Sequence, residues 1–553
     1  MEVLNSILLW AAMIICAFAL YKNYELAGKK RKPGKEISVN TNVYNIILGT
    51  AIVLALFIRI YKFGSVPGGF NQDGAMAAVD AKALADYGTD RYGMHMPVHL
   101  TAWGYGQMSA LLSYLMVPFI KLFGLSAVTA RMPQLIMSIA GLVFFYLFVK
   151  DVFGKKAALI AAAFAAVNPW HILQSRWALD CNLYPHFFII GVYLLNKGLT
   201  RRVCLYLSMV SFGLCMYCYG ISIYTMPLFL IAACVYLAVT KKIKIMDALI
   251  CAGVYLLVSW PFILTMIINF LKLDTIETPF FTIPYFPDSV RSNDILFFSD
   301  NIGEQLIANI KSLANTTLLQ KKDLPWNDVE NFGTMYLFTM PFAVTGLIVL
   351  IRKYRKSAGA VLALIFLLTG IWCGLTTNGV NVNRINIIYY PIMLMAVLGI
   401  YYVINTIKNI QWGVAAAYIS AFVIFSVTYF TSYADILAVN FFKDFGDAVA
   451  SVKNSDADKF YITADSQYTG ASNVSEILTL FYHETDAKYY QGETPEGELP
   501  FDEKYTFKSI KDIDIDPSEN AVYVITAGDL SYFDQTLYDI ERFGNYYTLS
   551  PKN

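Results

Sequence analysis

Apolar runs of spanning length recur along the chain from Leu4 to Phe430, separated by short stretches rich in charge, glycine and proline. A helix needs about 20 apolar residues to cross the hydrocarbon core of a bilayer. The pattern therefore predicts a mainly α, polytopic membrane protein with about twelve spans. These are expected over residues 5–22, 43–60, 130–149, 157–169, 183–196, 203–219, 224–240, 246–268, 336–352, 358–374, 386–404 and 411–432. After Tyr433 the pattern changes. Residues 434–553 are rich in Asp, Lys, Tyr and Ser, and β-rich runs (460–463, 521–526, 546–549) alternate with helical ones (442–452, 475–482). This predicts a membrane domain over 1–433 followed by a water-soluble α/β domain over 434–553. That domain shows no glycine-rich phosphate loop and reads as a supporting element or a cap.

Cations orient the spans. The cluster from Lys29 to Lys35 is the densest, and the positive-inside rule places it in the cytoplasm. Residues 61–106 then lie outside, and with parity kept so do 168–185, 269–334, 376–386 and the C-terminal domain. The run 107–124 is the ambiguous one. It holds Pro118 and Lys121 and is only about eighteen residues long. Were it a span, Lys150, Lys155, Lys156, Lys197, Arg201 and Arg202 would all face outward. It is therefore expected to be a re-entrant or interfacial helix within an outer segment 61–129, with an ordinary span as the competing reading.

The stretch 61–106 carries Asp73, Asp80, Asp86, Asp90, Lys82, Arg91, His95 and His99 among glycines and prolines. Irregular polar backbone does not lie in hydrocarbon, and long structured loops are usually functional. The outer loop around Ser175-Arg-Trp-Ala-Leu-Asp180 adds a second acid, and 376–386 adds Arg384 at the start of a span. Ionisable groups near the membrane are costly and by default functional. Asp73 and Asp180 are thus the candidate catalytic pair, whereas Asp80, Asp86 and Asp90 are expected as solvated loop acids or helix caps. Arginine binds phosphate through a planar fork, which makes Arg176 and Arg384 candidate phosphate ligands. His95, Trp103, His171, Asn182 and Asn383 are the candidates for other substrate contacts. Two acids, arginines and aromatics on one face suit a base that deprotonates an acceptor while a phosphate departs.

Several local motifs occur in order: Gly69-Phe-Asn-Gln-Asp-Gly74, Gly104-Tyr-Gly-Gln107, Ala130-Arg-Met-Pro133, Asn168-Pro-Trp-His171 and Ser175-Arg-Trp-Ala-Leu-Asp180. In these the chain resembles the GT-C membrane glycosyltransferases, in the family-39-like branch of protein O-mannosyltransferases and lipid A aminoarabinose transferases. The resemblance covers residues 43–430 as architecture. It implies a sugar donor linked to polyprenyl phosphate, an inverting transfer, and a juxtamembrane helix after the first loop. Asp73 takes the position of the first-loop catalytic aspartate, Asp180 that of the second-loop acid, and Arg384 that of the arginine near the donor phosphate. Gly74 stands where the family has a glutamate, which leaves open how the two acids divide the work and whether a divalent metal takes part. The implied partners are the donor, membrane lipid, and an acceptor that is protein, lipid or cell-wall glycan. The implied location is the plasma membrane, with the active site extracytoplasmic.

Composition narrows the alternatives. The chain is 57% hydrophobic and 15% charged, and its mean hydropathy is +0.49. A net charge of +1 argues against a nucleic-acid partner. The eight cysteines fall mostly in apolar runs, so Cys215-x-x-Cys218 reads as a pair of small buried hydrophobes, not as a zinc or redox motif. A transporter or flippase of lipid-linked cargo is the alternative function. It calls for ionisable residues in mid-span and internal repeats, whereas the polar clusters here sit in one set of loops.

Overall fold

The computed structural model describes residues 2–27, 40–102, 106–287, 295–465 and 472–552. The cation cluster at 29–35, Trp103 and Arg291 lie outside the described residues.

The apolar runs fold as helices: α1 (Glu2–Ala27) and α2 (Thr41–Ile60) come first. The first loop then forms α3 (Gln72–Tyr87), a hairpin of β1 (His99–Thr101) and β2 (Gln107–Ser109), and α4 (Leu111–Phe123). At 13 residues, α4 is about 20 Å long. Next come α5 (Ala127–Phe153), α6 (Lys155–Ala166), α7 (Pro169–Gln174), α8 (Tyr184–Gly198), α9 (Arg202–Cys215), α10 (Ser222–Val239) and α11 (Ile245–Leu271). The long loop holds a short ribbon, β3 (Ile276–Glu277) with β4 (Thr282–Ile283), and α12 (Ile302–Thr317). The helical part closes with α13 (Met340–Lys353), α14 (Ala358–Thr376), α15 (Tyr389–Thr406) and α16 (Ile410–Phe430).

Among the described residues, eight helices are long and apolar enough to cross a membrane. The other four expected spans form α6, α8, α9 and α13, of 12 to 15 residues. The α6 run is cut short because Asn168 caps a new helix with its side chain and Pro169 occupies that helix's first turn. Small residues let these helices pack closely. A Cβ at Gly346 would lie 1.7 Å from the Met395 carbonyl oxygen, and one at Gly399 would lie 1.9 Å from that of Phe342. Such contacts seat α13 directly on α15.

Past α16, α17 (Ser432–Asn440) and α18 (Lys443–Ser451) lead into a five-stranded sheet. Its members are β5 (Lys459–Thr463), β6 (Tyr505–Lys508), β7 (Ala521–Thr526), β8 (Tyr538–Phe543) and β9 (Tyr546–Pro551), with α19 (Ser472–Tyr482) between β5 and β6. The strand order is β6-β5-β7-β9-β8, with β5 parallel to β6 and β7, and β9 antiparallel to β7 and β8. Strand β7 alternates between two cores. Val522 and Val524 join the main apolar cluster, while Ala521, Tyr523 and Ile525 fill a smaller one on the opposite face.

The change in composition after Tyr433 does not interrupt packing. Phe445, Val449, Leu478 and Phe481 belong to the same continuous core as the helical bundle. Phe481 of α19 stacks on Phe70 at 4.5 Å, and Tyr87 donates to Asp486 at 2.7 Å. The C-terminal part therefore sits on the loop that carries Asp73.

Candidate active site

Asp73 lies in the first turn of α3, whose N-terminus is fixed by Asn71. The Asn71 carboxamide accepts the Gly74 N–H at 2.9 Å. The positive end of the helix dipole favours a carboxylate there. Gly74 brings this turn against the chain at Ala178, since a Cβ on it would sit 3.0 Å from the Ala178 carbonyl oxygen. Two residues on, Asp180 opens a short 3-10 turn and accepts the Cys181 N–H at 2.7 Å. Both carboxylates act on one neighbour: the Cys181 thiol is pushed far up, first by burial and then by the charges of Asp180 and Asp73.

Asp73 and Asp180 open onto a cavity of about 920 Å³. Arg384, Asn383 and Asn381 form part of its wall, and His99, Gln107 and Ser109 of the β1–β2 hairpin form another. The facing side is apolar: Ile263, Met266, Ile267 and Phe270 of α11 line it. Their spacing of i, i+3, i+4 and i+7 is one helix face. Phe270 is 85% exposed at the rim. The loop with Arg384 is held by the long loop before α13. Asp323 Oδ2 accepts the Val382 N–H at 3.0 Å, and its Oδ1 accepts from Leu324 and the Asn327 carboxamide. Burial raises the Asp323 pKa. Within the loop, Asn381 Oδ1 accepts the Arg384 N–H at 3.1 Å, and the Arg384 guanidinium donates to the Asn378 carbonyl.

Of the residues singled out from sequence, Asp73, Asp180, Asn383 and Arg384 meet at this cavity. Four others are placed elsewhere. Arg176 is fully buried and spends its guanidinium on the carbonyls of Ile58, Arg59, Tyr61, Lys62 and Val66, over the ring of Phe430 at 4.9 Å. It fastens the end of α2 and the start of the first loop, and has no donor left for a phosphate. His171 is buried between Arg59 at 2.9 Å and the Tyr390 hydroxyl at 3.0 Å. Asn182 Oδ1 accepts from Asn386 at 3.1 Å inside the same polar core. His95 is exposed on the hairpin approach, away from the cavity wall. His99, four residues on, is the histidine that lines it.

The loop acids also divide. Asp86 is exposed and pairs with Lys82 at 2.6 Å, as expected of a solvated acid. Asp80 is instead wholly buried in an ion pair with Arg91 at 2.6 Å. Asp90 is buried too and accepts the Tyr92 and Met94 N–H groups. Burial, then the charge of Asp80, pushes its pKa up to about 7.

Among the described residues, no group of three or more His, Cys, Asp or Glu side chains is arranged to hold a metal ion. A divalent ion at the cavity would rest on Asp73 and Asp180, with substrate phosphate completing its shell, a pattern hard cations use.

Residues 109–265 match the family described as dolichyl-phosphate-mannose-protein mannosyltransferase. The fold is that of ArnT from Cupriavidus metallidurans bound to undecaprenyl phosphate, with a TM-score of 0.56, 12% identity, and coverage of 93% of this chain and 98% of that one. The apo state of the same protein gives a TM-score of 0.54 at 11% identity, covering 92% and 98%. No curated protein sequence matches the chain.

Proposed function

We propose that the protein is a GT-C-type glycosyltransferase that moves a sugar from a polyprenyl-phosphate donor to an acceptor at the extracytoplasmic face. The observation that carries the proposal is one cavity with two carboxylates and an arginine at its polar end and an α11 stripe at its apolar end. A lipid-linked sugar phosphate has the same division. Its isoprenoid chain would lie along Ile263, Met266, Ile267 and Phe270, and its phosphate beside Arg384. The undecaprenyl phosphate bound by the ArnT of like fold has the same chemistry.

In this reading Asp73 takes the proton from the acceptor nucleophile. The nucleophile attacks the anomeric carbon from the face opposite the phosphate, the carbon–oxygen bond to phosphate breaks, and configuration inverts. Arg384 stabilises the charge that collects on the departing phosphate. Asp180, beside Asp73, orients the acceptor and keeps the site receptive to a proton. Any divalent ion held by these two acids would supply further neutralisation of that phosphate.

The test is transfer of radiolabel from a panel of polyprenyl-phosphate sugars by the purified full chain. Acceptor-linked label with stoichiometric release of bare lipid phosphate is expected from the wild type. Arg384→Ala should slow transfer about 100-fold, and Arg384→Lys should recover part of the loss. Transport of an intact lipid-linked sugar across vesicles, with no glycosidic bond made, would favour the flippase instead.

A further inference from the structure

Three residues of the cavity wall carry a buried polar atom that finds no hydrogen-bond partner among the described residues: His99 Nδ1, Gln107 Oε1 and Asn383 Oδ1. Most buried polar atoms in folded proteins are paired, and an exception asks for a reason. They come from two separate parts of the chain. His99 and Gln107 stand on opposite strands of the β1–β2 hairpin, in the registers His99–Ser109 and Thr101–Gln107. Asn383 belongs to the loop that Asp323 ties down at Val382.

We propose that His99, Gln107 and Asn383 read the sugar ring of the donor, and that this ring is a neutral, hydroxyl-rich hexose or pentose. The inference rests on the glycosyltransferase reading and adds the class of sugar. Two of the three orphaned atoms are amide oxygens, which accept hydrogen bonds, and sugar hydroxyls donate them. His99 is 5% exposed and packs edge-on to Phe262 at 5.6 Å and Phe286 at 6.0 Å. Burial holds its pKa down to about 4, so its ring is neutral at physiological pH, with one nitrogen donating and the other accepting. These atoms are buried in the wall itself, and rotation about each terminal torsion, which is soft in His, Asn and Gln, would bring them to the lumen when a sugar enters. An acidic sugar does not fit, because its carboxylate would face Asp73, Asp180 and two carbonyl oxygens without a counter-charge. Among the described residues of the cavity wall Arg384 is the one cation, and the donor phosphate takes it.

The hairpin sits beside both acids, so the residues that read the ring also set its height above them. A site built to pair hydroxyls rejects an analogue that lacks them, because its own polar atoms are then left unpaired.

The experiment compares two ligands of the full chain in nanodiscs: bare polyprenyl phosphate, tested as undecaprenyl and dolichyl forms, and the same lipid carrying mannose, glucose, galactose, arabinose or glucuronic acid. The wild type should bind at least one neutral glycosyl lipid more tightly than the bare lipid, and the glucuronosyl lipid no more tightly. His99→Leu, Gln107→Leu and Asn383→Leu should each weaken the preferred glycosyl lipid by about 10- to 100-fold and leave bare lipid binding unchanged. Equal loss for both ligands, no loss for either, or preference for the glucuronosyl lipid overturns the assignment while the donor reading stands. Failure of the wild type to bind any bare lipid phosphate overturns that reading and this inference with it.

Discussion

A Cβ at position 74 would lie 2.7 Å from Asn71 Oδ1 and 3.0 Å from the Ala178 carbonyl oxygen, so the first turn of α3 has no room for a second carboxylate. The departure from the Asp-Glu pair of the family it resembles thus has a packing cause. The glycine lets Asp73 approach the Ala178–Asp180 segment, and Asp180 supplies the second acid from the neighbouring loop. Replacing Gly74 by Ala should cost about 1–3 kcal/mol of stability by overpacking and move Asp73 enough to slow transfer. Thermal unfolding and single-turnover rates of that variant check both, and full activity with unchanged stability would show that the contact yields freely. That the acid in each loop and Arg384 share one cavity wall accords with their residue type and loop position. Which histidine lines that wall was not legible. His95 and His99 differ in where a two-stranded hairpin turns them, and that register depends on pairing with residues 107–109, which residue type does not reveal.

At the scale of elements, the first loop is held by arginines that sequence reading could equally assign to phosphate. Arg131 donates to the carbonyls of Pro67 and Gly69, at 3.0 Å and 2.6 Å, and Arg176 holds five more carbonyls upstream. The same guanidinium that fits a phosphate fits a cluster of backbone oxygens, so only the fold separates the two uses. Arg176→Lys leaves several of those carbonyls unpaired, because one ammonium cannot reach the positions of a planar fork. A loss of at least about 2 kcal/mol is expected, with the affinity of the folded fraction for polyprenyl phosphate unchanged. Weakened lipid binding without destabilisation would return Arg176 to the donor site.

The same loop carries a pH dependence through Asp90. Its folded pKa of about 7 lies above its ordinary value of 3.8, so the folded state holds the proton more tightly than the unfolded chain. The stability this contributes is full below pH 3.8 and is lost as pH rises through about 7. Its surroundings are Asp80, Arg91 and the N–H groups of Tyr92 and Met94. Thermal unfolding should show the wild type less stable at pH 8 than at pH 5.5, and Asp90→Asn should shrink that difference. An unchanged difference would mean that other groups set it.

Across the whole molecule, the hydropathy pattern disclosed the helical bundle and the strand-rich C-terminal part, yet it could not show that the two share one core. That sharing comes from particular contacts. Phe481 stacks on Phe70 three residues before Asp73, and the backbone at Gly69 runs so close to Phe441 that a Cβ would lie 2.3 Å from its carbonyl oxygen. Gly69 also has a φ of +75°, which favours glycine. Truncating Phe481 to Ala removes a buried aromatic at a cost of about 3–5 kcal/mol. Because its partner leads into α3, turnover should fall while binding of polyprenyl phosphate persists. Loss of lipid binding with intact turnover per bound donor would instead tie the C-terminal part to the lipid.

In the proposed reaction Asp73 and Asp180 act together in one cavity. The most direct test of this is single-turnover transfer from a radiolabelled polyprenyl-phosphate sugar by Asp73→Asn, Asp180→Asn and the double variant. Each single change should slow transfer by at least about 100-fold, and the double variant should be no slower than the worse single one, as expected of groups that work as a unit. Near-normal transfer by either single variant, or losses that multiply in the double, would contradict it.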